Sequence, residues 1–198
     1  MARTKTYEPE TLADRALAAF WEHGFHATSM DDLVRATKVS RHGIYNDFGG
    51  KKGLFLACFK RYELAIVTPA FEAVEQHNAD LEQIAQYFEH QIALAERIGL
   101  PGNGCFVANA STEIAAQDGD VANKVTQHNA RLAAGFATAL QNSQDPTSNL
   151  AANDIKQLAE TIVVFANGLW SLSRTVSDAA ILRNNATTFL MLIREHLK

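Results

Sequence analysis

Residues 28–55 read Thr28-Ser29-Met30-Asp31-Asp32-Leu33-Val34-Arg35-Ala36-Thr37-Lys38-Val39-Ser40-Arg41-His42-Gly43-Ile44-Tyr45-Asn46-Asp47-Phe48-Gly49-Gly50-Lys51-Lys52-Gly53-Leu54-Phe55. Thr28 is a residue type that caps helices, and Asp31, three positions on, completes a capping-box variant. Met30, Leu33, Val34 and Thr37 then recur on one helical face. Lys38-Val39 forms a short turn and Ser40 a second cap. From Ser40 to Phe48, Ile44 and Phe48 point inward at i, i+4, and Gly49-Gly50 ends the helix. Upstream, Leu12, Ala16, Ala19 and Phe20 line one face of a first helix. Pro9 suits its first turn, Glu8 and Glu10 favour its positive end, and Gly24 stops it.

Three short helices, the last two joined by a tight turn, are the geometry of a helix-turn-helix. Its third helix must keep a polar flank free for a major groove about 12 Å wide. Arg41, His42, Tyr45 and Asn46 are left on that flank. Arg41 can donate to guanine or phosphate, Asn46 can bond base edges, and Tyr45 can donate to a phosphate. Gly43 removes a side chain where backbone could approach DNA closely, and Lys51 and Lys52 follow the helix where phosphates would lie. The bland alternative is a helical hairpin with a solvated basic face. Single charges are common, but this ordered set of caps, turn and anchors is not. Gly49-Gly50-Lys51-Lys52-Gly53 lacks the spacing of a phosphate-binding loop.

Charge supports the same division. The 198-residue chain carries a net charge of -4, but residues 1–62 hold ten Lys and Arg against seven Asp and Glu. The remainder holds eight against fifteen. A basic head on an acidic body suits a DNA-binding module joined to a domain with another task. The division expected is a DNA-binding domain over 1–53 and a second helical domain over 54–198. In the latter, helices are expected from Leu54 towards Ala73 with a break at Pro69, then over Leu81–Ile98, Cys105–Ala116, Asp120–Gln141, Asn153–Arg174 and Asp178–Leu197. Asp145-Pro146-Thr147-Ser148-Asn149 reads as a loop. No run alternates with period two, so the fold class expected is all-α. Met1–Tyr7 is polar and basic, unlike a secretion signal, and the apolar runs are too short to span a bilayer. A cytoplasmic protein with no membrane partner is expected. The two cysteines, Cys58 and Cys105, make neither a convincing disulfide nor a zinc site.

The stretch Thr28–Val34, with Val39-Ser40-Arg41, Ile44-Tyr45, Phe48-Gly49, Lys51 and Leu54-Phe55, resembles the N-terminal signature of the TetR/AcrR repressor family. The resemblance covers the first quarter to third of the chain. It implies that Thr28, Ser29, Arg41, His42, Tyr45 and Lys51 meet palindromic operator DNA, with Asn46 a further candidate. It also implies a body of about six helices that binds a small-molecule effector, and a homodimer formed by the last two helices. There, Ile155, Leu158, Ile162, Phe165, Ala166 and Leu169 make one apolar stripe, and Ile181, Phe189, Leu192 and Ile193 another. The simpler reading of these stripes is closure of the monomer core. Two positions depart from the family pattern. Lys38 stands where glycine is usual, and a left-handed residue with a side chain costs roughly 1 kcal/mol. Asp47 replaces an aromatic or histidine, and an acid there would repel a nearby phosphate.

Gly102-Asn103-Gly104-Cys105-Phe106-Val107-Ala108-Asn109 resembles a stretch of a NemR-like subgroup that senses electrophiles and oxidants through a thiol. A cysteine at a helix start has its thiolate stabilised by the helix dipole, and Arg174 is a candidate cationic neighbour. The alternative is a small buried residue packing the helix start. Both stay open. Tyr87, Phe88, Gln91, Cys105, Phe106, Asn109, Phe136 and Trp170 are candidates to line an effector pocket, with Thr112, Phe165, His90 and His128 beside them. Most of them read equally well as ordinary core. Cys58, amid Leu54, Phe55 and Phe59, reads as core. A di-iron helical enzyme would need Glu-x-x-His pairs, and the sequence has none. No enzyme activity, metal or cofactor is expected.

Overall fold

The computed structural model describes residues 7–145 and 150–198. The leader reading of the first six residues and the Pro146–Asn149 part of the expected loop lie outside them. No strand occurs among the described residues. The helices are α1 (Pro9–His23), α2 (Met30–Thr37), α3 (Arg41–Phe48), α4 (Lys51–Tyr62), α5 (Thr68–Phe71), α6 (Leu81–Ile98), α7 (Phe106–Glu113), α8 (Gly119–Asn142), α9 (Ala152–Leu172) and α10 (Ala179–His196). The fold is all-α, as the periodicity required, and no helix among the described residues is long and apolar enough to cross a membrane.

The chain packs as two units. One comprises the residues up to Val67 together with Asn109–Val125; the other comprises Thr68–Ala108 and Thr126–Lys198. Packing therefore draws the line elsewhere than the expected 53/54 boundary. Helix α4 lies against α1 because Leu54, Phe55, Cys58, Phe59 and Tyr62 bury the same face that Leu12, Ala13, Ala16, Leu17 and Phe20 bury. Phe55 is the hub of that core, edge-on to Phe20 at 5.0 Å, Phe25 at 4.9 Å and Phe59 at 5.5 Å between ring centroids. Arg61 pairs with Asp14 through Nε and Nη2, at 2.6 and 2.9 Å, and fastens the rim of the two helices.

The break expected at Pro69 is present one turn earlier. Between α4 and α5 the chain makes a π-helical turn over Glu63–Val67. Proline has no N–H for the carbonyl four residues back, and its ring crowds that carbonyl, so the preceding turn widens to accommodate it.

In the second unit an aromatic cluster forms the core. Phe71 stands edge-on to Tyr87 and to Phe136, each at 5.2 Å, and Phe88 approaches Trp170 at 6.0 Å and Phe165 at 5.7 Å. Phe165 of α9 stacks flat on Phe189 of α10 at 3.9 Å. Arg183 of α10 spans Glu89 and Glu96 of α6, at 2.9 and 2.6 Å.

The stripes expected to form a dimer surface divide differently in space. Ile155, Ile162, Ala166, Leu169 and Ile193 are buried within the monomer, so they belong to its own core. Of the expected stripe Ile181 and Leu192 stay outside, 42% and 65% exposed, and Val164 and Met191, at 72% and 62%, join them. A helix packed in a bundle turns its widest apolar arc inward, which sequence periodicity cannot tell apart from an arc awaiting a partner.

Candidate nucleic-acid interface

The site is the outer flank of α3 and the ends of the helices beside it. Helix α2 starts one residue later than its sequence suggests. Ser29, not Thr28, is the N-cap: its hydroxyl accepts from the Asp32 N–H, and the Asp32 carboxylate accepts the Ser29 N–H at 2.8 Å. Asp32 takes the role expected of Asp31. That carboxyl is held below its usual range, first by the Ser29 hydroxyl and then by the Ser29 backbone, with Arg35 adding a further contact. Thr28 is 1% exposed and donates to the Gly24 carbonyl at 2.6 Å, which closes the end of α1. Its hydroxyl is thus used within the chain and does not join the exposed flank, so a Thr28 contact to DNA would fall to its backbone.

The turn between α2 and α3 depends on Lys38, whose φ of 60° is the left-handed conformation its position demanded. Arg15 from α1 donates to the Thr37 carbonyl at 2.9 Å, and the Thr37 hydroxyl accepts from the Val39 N–H at 3.2 Å. Carbonyl and amide groups freed by the turn thus have partners. Ser40 caps α3 by accepting from the Gly43 N–H at 3.2 Å. Ile44 is fully buried, and Gly49 leaves the helix at φ 72°. Arg41, His42, Tyr45 and Asn46 are exposed on the opposite flank, as the helix period predicts. Arg41 pairs with Asp31 at 2.8 Å, and Asn46 lies 3.1 Å from the His42 ring nitrogen. Both contacts are on the surface, where such pairs are weak and readily exchanged for a new partner.

The lysines beyond α3 are differently occupied. Lys51 lies over the Phe25 ring, 4.4 Å from its centre, and partial burial lowers its pKa. Lys52 pairs with Asp118 at 2.7 Å and Asp120 at 2.8 Å, at the start of α8. Sequence reasoning left both lysines to phosphates; here their ammonium groups already have partners within the first unit.

Three further residues shape the site without having been expected. A Cβ on Gly53 would stand 1.7 Å from the Phe48 carbonyl oxygen, so α3 and α4 meet there only because residue 53 has no side chain. Glu113, at the end of α7, accepts from the Phe25 N–H at 2.9 Å and the His26 N–H at 2.8 Å. Tyr7 donates to Asp47 at 2.8 Å. The approach of Glu113 and Tyr7 spans long stretches of sequence and left no local signal. Gly53 was visible in sequence only within the Gly49–Gly53 stretch, weighed there against a phosphate-binding loop, one residue before the helix expected from Leu54.

In the second unit, Tyr87, Phe88, Phe106, Phe136 and Trp170 are buried, and Tyr87, Phe88, Phe136 and Trp170 touch one another through their rings. Gln91 is half-buried, and Asn109 belongs to the first unit. Cys105 directly precedes α7 and is 5% exposed. Next to it, Gly104 at φ 69° leaves room for the stem of Arg174 and the Trp170 carbonyl. Cys58 is core, and burial pushes its thiol pKa far up.

A short capped helix with an exposed polar flank, set by a tight turn against a second helix, defines a helix-turn-helix DNA-binding protein. Comparison with known proteins agrees along the chain. Residues 12–58 match "Bacterial regulatory proteins, tetR family", and residues 81–189 match "Tetracyclin repressor-like, C-terminal domain". The chain belongs to the tetR family of bacterial transcriptional regulators and is not an enzyme. It is 29% identical to the HTH-type transcriptional repressor ComR of Escherichia coli, over 99% of this chain and 93% of that protein. Its fold matches the regulator CifR, solved with 26-base-pair operator DNA, at a TM-score of 0.80 and 17% identity over 96% of this chain and 98% of that one. It also matches reduced NemR of Escherichia coli at a TM-score of 0.74 and 15% identity, over 96% of each chain. At such identities the likeness to both structures is one of fold.

Proposed function

We propose that the protein is a homodimeric repressor that holds palindromic operator DNA through α3 and lets go when its helical body binds a small molecule. The observation that carries this reading is the flank of Arg41, His42, Tyr45 and Asn46, exposed on a helix pinned from behind by Ile44 and capped at both ends. Ser29, Gly43, Lys51 and Lys52 complete the proposed contact set, with Lys52 changing partners from Asp118 and Asp120 to phosphate. The kinship with a protein named as a repressor favours repression over activation. Two copies related by a two-fold suit two half-sites one helical turn apart.

Release would follow from a population shift towards a form whose recognition helices no longer match successive grooves. The ring-lined core around Tyr87, Phe88, Phe136 and Trp170, with Gln91 and Phe106, is where an apolar effector with one or two polar groups would be held. Modification of Cys105 is the second route to release, supported by its position at the start of α7. Its burial means that a reagent acts there only when the surrounding helices open.

The test is a duplex chosen by the protein from a random-sequence pool. Log affinity should fall linearly with log salt, with a slope reflecting several phosphates. Arg41→Ala should lower affinity by roughly ten- to a hundredfold, the range for losing a bidentate base contact. A protein that enriches no duplex, or whose Arg41→Ala variant binds undiminished, would not be this regulator. For the thiol route, mild electrophile treatment should label Cys105 and weaken the DNA complex in parallel; labelling without loss of affinity rejects it.

A further inference from the structure

We infer that Tyr7 is a positioning residue for DNA recognition: its hydroxyl, seated against Gly43, holds the Asp47 carboxylate along one edge of α3, clear of the flank that meets the duplex. The inference rests on the DNA-binding reading of α3 and concerns a residue outside the helix-turn-helix itself.

Gly43 and Asp47 are one turn apart, so they share an edge of α3. That edge adjoins Asn46, at one margin of the exposed flank. Tyr7 crosses it. Its hydroxyl donates to Asp47 Oδ2 at 2.8 Å, and it occupies the space that a side chain at residue 43 would fill. A Cβ on Gly43 would lie 2.7 Å from the Tyr7 hydroxyl and 2.7 Å from Val39 Cγ1. A side chain at 43 would displace the crossing tyrosine or Val39, so glycine there makes room for both, whatever a DNA backbone requires. Burial and the nearby Asp47 charge both raise the Tyr7 pKa, so the hydroxyl is a proton donor throughout the neutral range.

The electrostatic need is plain. A duplex carries one negative charge for about every 1.7 Å of its axis, and a carboxylate turned onto the reading flank would oppose it. A hydrogen bond to the charged oxygen turns the carboxylate towards the Gly43 side and spreads its charge onto a donor. The acid that departs from the family pattern is thereby tolerated at the margin of a DNA-binding surface. A tyrosine serving only as a packing strut would do none of this, because its ring alone would suffice.

Tyr7→Phe keeps the ring and removes the hydroxyl. Affinity for the duplex selected by the wild-type full-length protein is measured at fixed salt for wild type, Tyr7→Phe, Asp47→Asn and the double variant, with thermal unfolding of each. Tyr7→Phe should bind about fivefold more weakly, within the range of coupling between touching residues, while unfolding near the wild-type temperature. Asp47→Asn should bind at least as tightly as wild type, and adding Tyr7→Phe to it should cost nothing further. Equal affinity of Tyr7→Phe and wild type overturns the inference. So does an equal loss from Tyr7→Phe with and without Asp47, since the hydroxyl would then act through another group. Should Tyr7→Phe unfold, Asp47→Asn decides alone, and fivefold weaker binding by it overturns the inference. Wild-type protein that selects no duplex defeats the DNA-binding reading itself, and this inference with it; the outcomes above leave that reading intact.

Discussion

A Cβ added to Gly53 would stand 1.7 Å from the Phe48 carbonyl oxygen, a distance no side chain can occupy. The contact is with backbone, so no rotamer change relieves it, and α3 and α4 would have to part. Gly53→Ala is expected to cost at least about 2 kcal/mol, the scale of strain at a position that tolerates no substitution, and to abolish DNA binding through misplacement of α3. Chemical denaturation and a DNA-shift assay on the same preparation check both. An alanine variant with wild-type stability would mean that the two helices are not joined as described. Lys38 is the converse case at the neighbouring turn. Its left-handed backbone is strained by roughly 1 kcal/mol, yet the turn holds because Arg15 and Thr37 satisfy the groups around it. Thr28 and Ser29 are both capping residue types in sequence. Space separates them: one hydroxyl turns inward to Gly24, and the other meets Asp32.

Among the elements, α2 is held at its N-terminus by a reciprocal pair of hydrogen bonds that depends on charge. Asp32 has a lower pKa folded than unfolded, chiefly because it bonds the Ser29 hydroxyl and amide. The folded form therefore binds fewer protons than the unfolded chain, and stability rises with pH across that window. The contribution is complete above the ordinary carboxylate pKa of about 3.9 and is lost as pH falls through the lower folded value. Asp32→Asn should flatten the acid limb of stability against pH while leaving the neutral limb parallel to wild type. Urea denaturation between about pH 2 and pH 6 measures it, and an unchanged acid limb would remove Asp32 from the account. Glu113 shows the same economy between elements. One carboxylate, delivered by α7, takes two amides from the turn after α1, and Gly24 leaves it room.

For the whole molecule, assembly is the property that follows from what the helices leave uncovered. Val164, Ile181, Met191 and Leu192 are apolar and exposed on α9 and α10, while Ile155, Ile162, Ala166, Leu169 and Ile193, also expected on that surface, are inside the monomer. The proposed homodimer would bury this exposed set. Met191→Glu combined with Leu192→Glu should give a monomer by light scattering, with helical content unchanged. Affinity for a palindromic duplex should fall at least tenfold, since one half-site remains engaged instead of two. A variant that stays dimeric would place the interface elsewhere.

Sequence alone determined the helices, because the period of apolar residues and the capping residues at their ends are local signals. It determined α3 and its exposed flank for the same reason, and with them the family. Tertiary structure decided what each side chain spends its chemistry on. Lys52 lies beside Asp118 and Asp120, Tyr7 beside Asp47, and Glu113 beside two amides of a distant turn. None of these pairs is within helical spacing, so no periodicity reports them. The division of α9 and α10 into core and open surface was decided the same way: an apolar stripe says that a face will be buried, and only packing says against what.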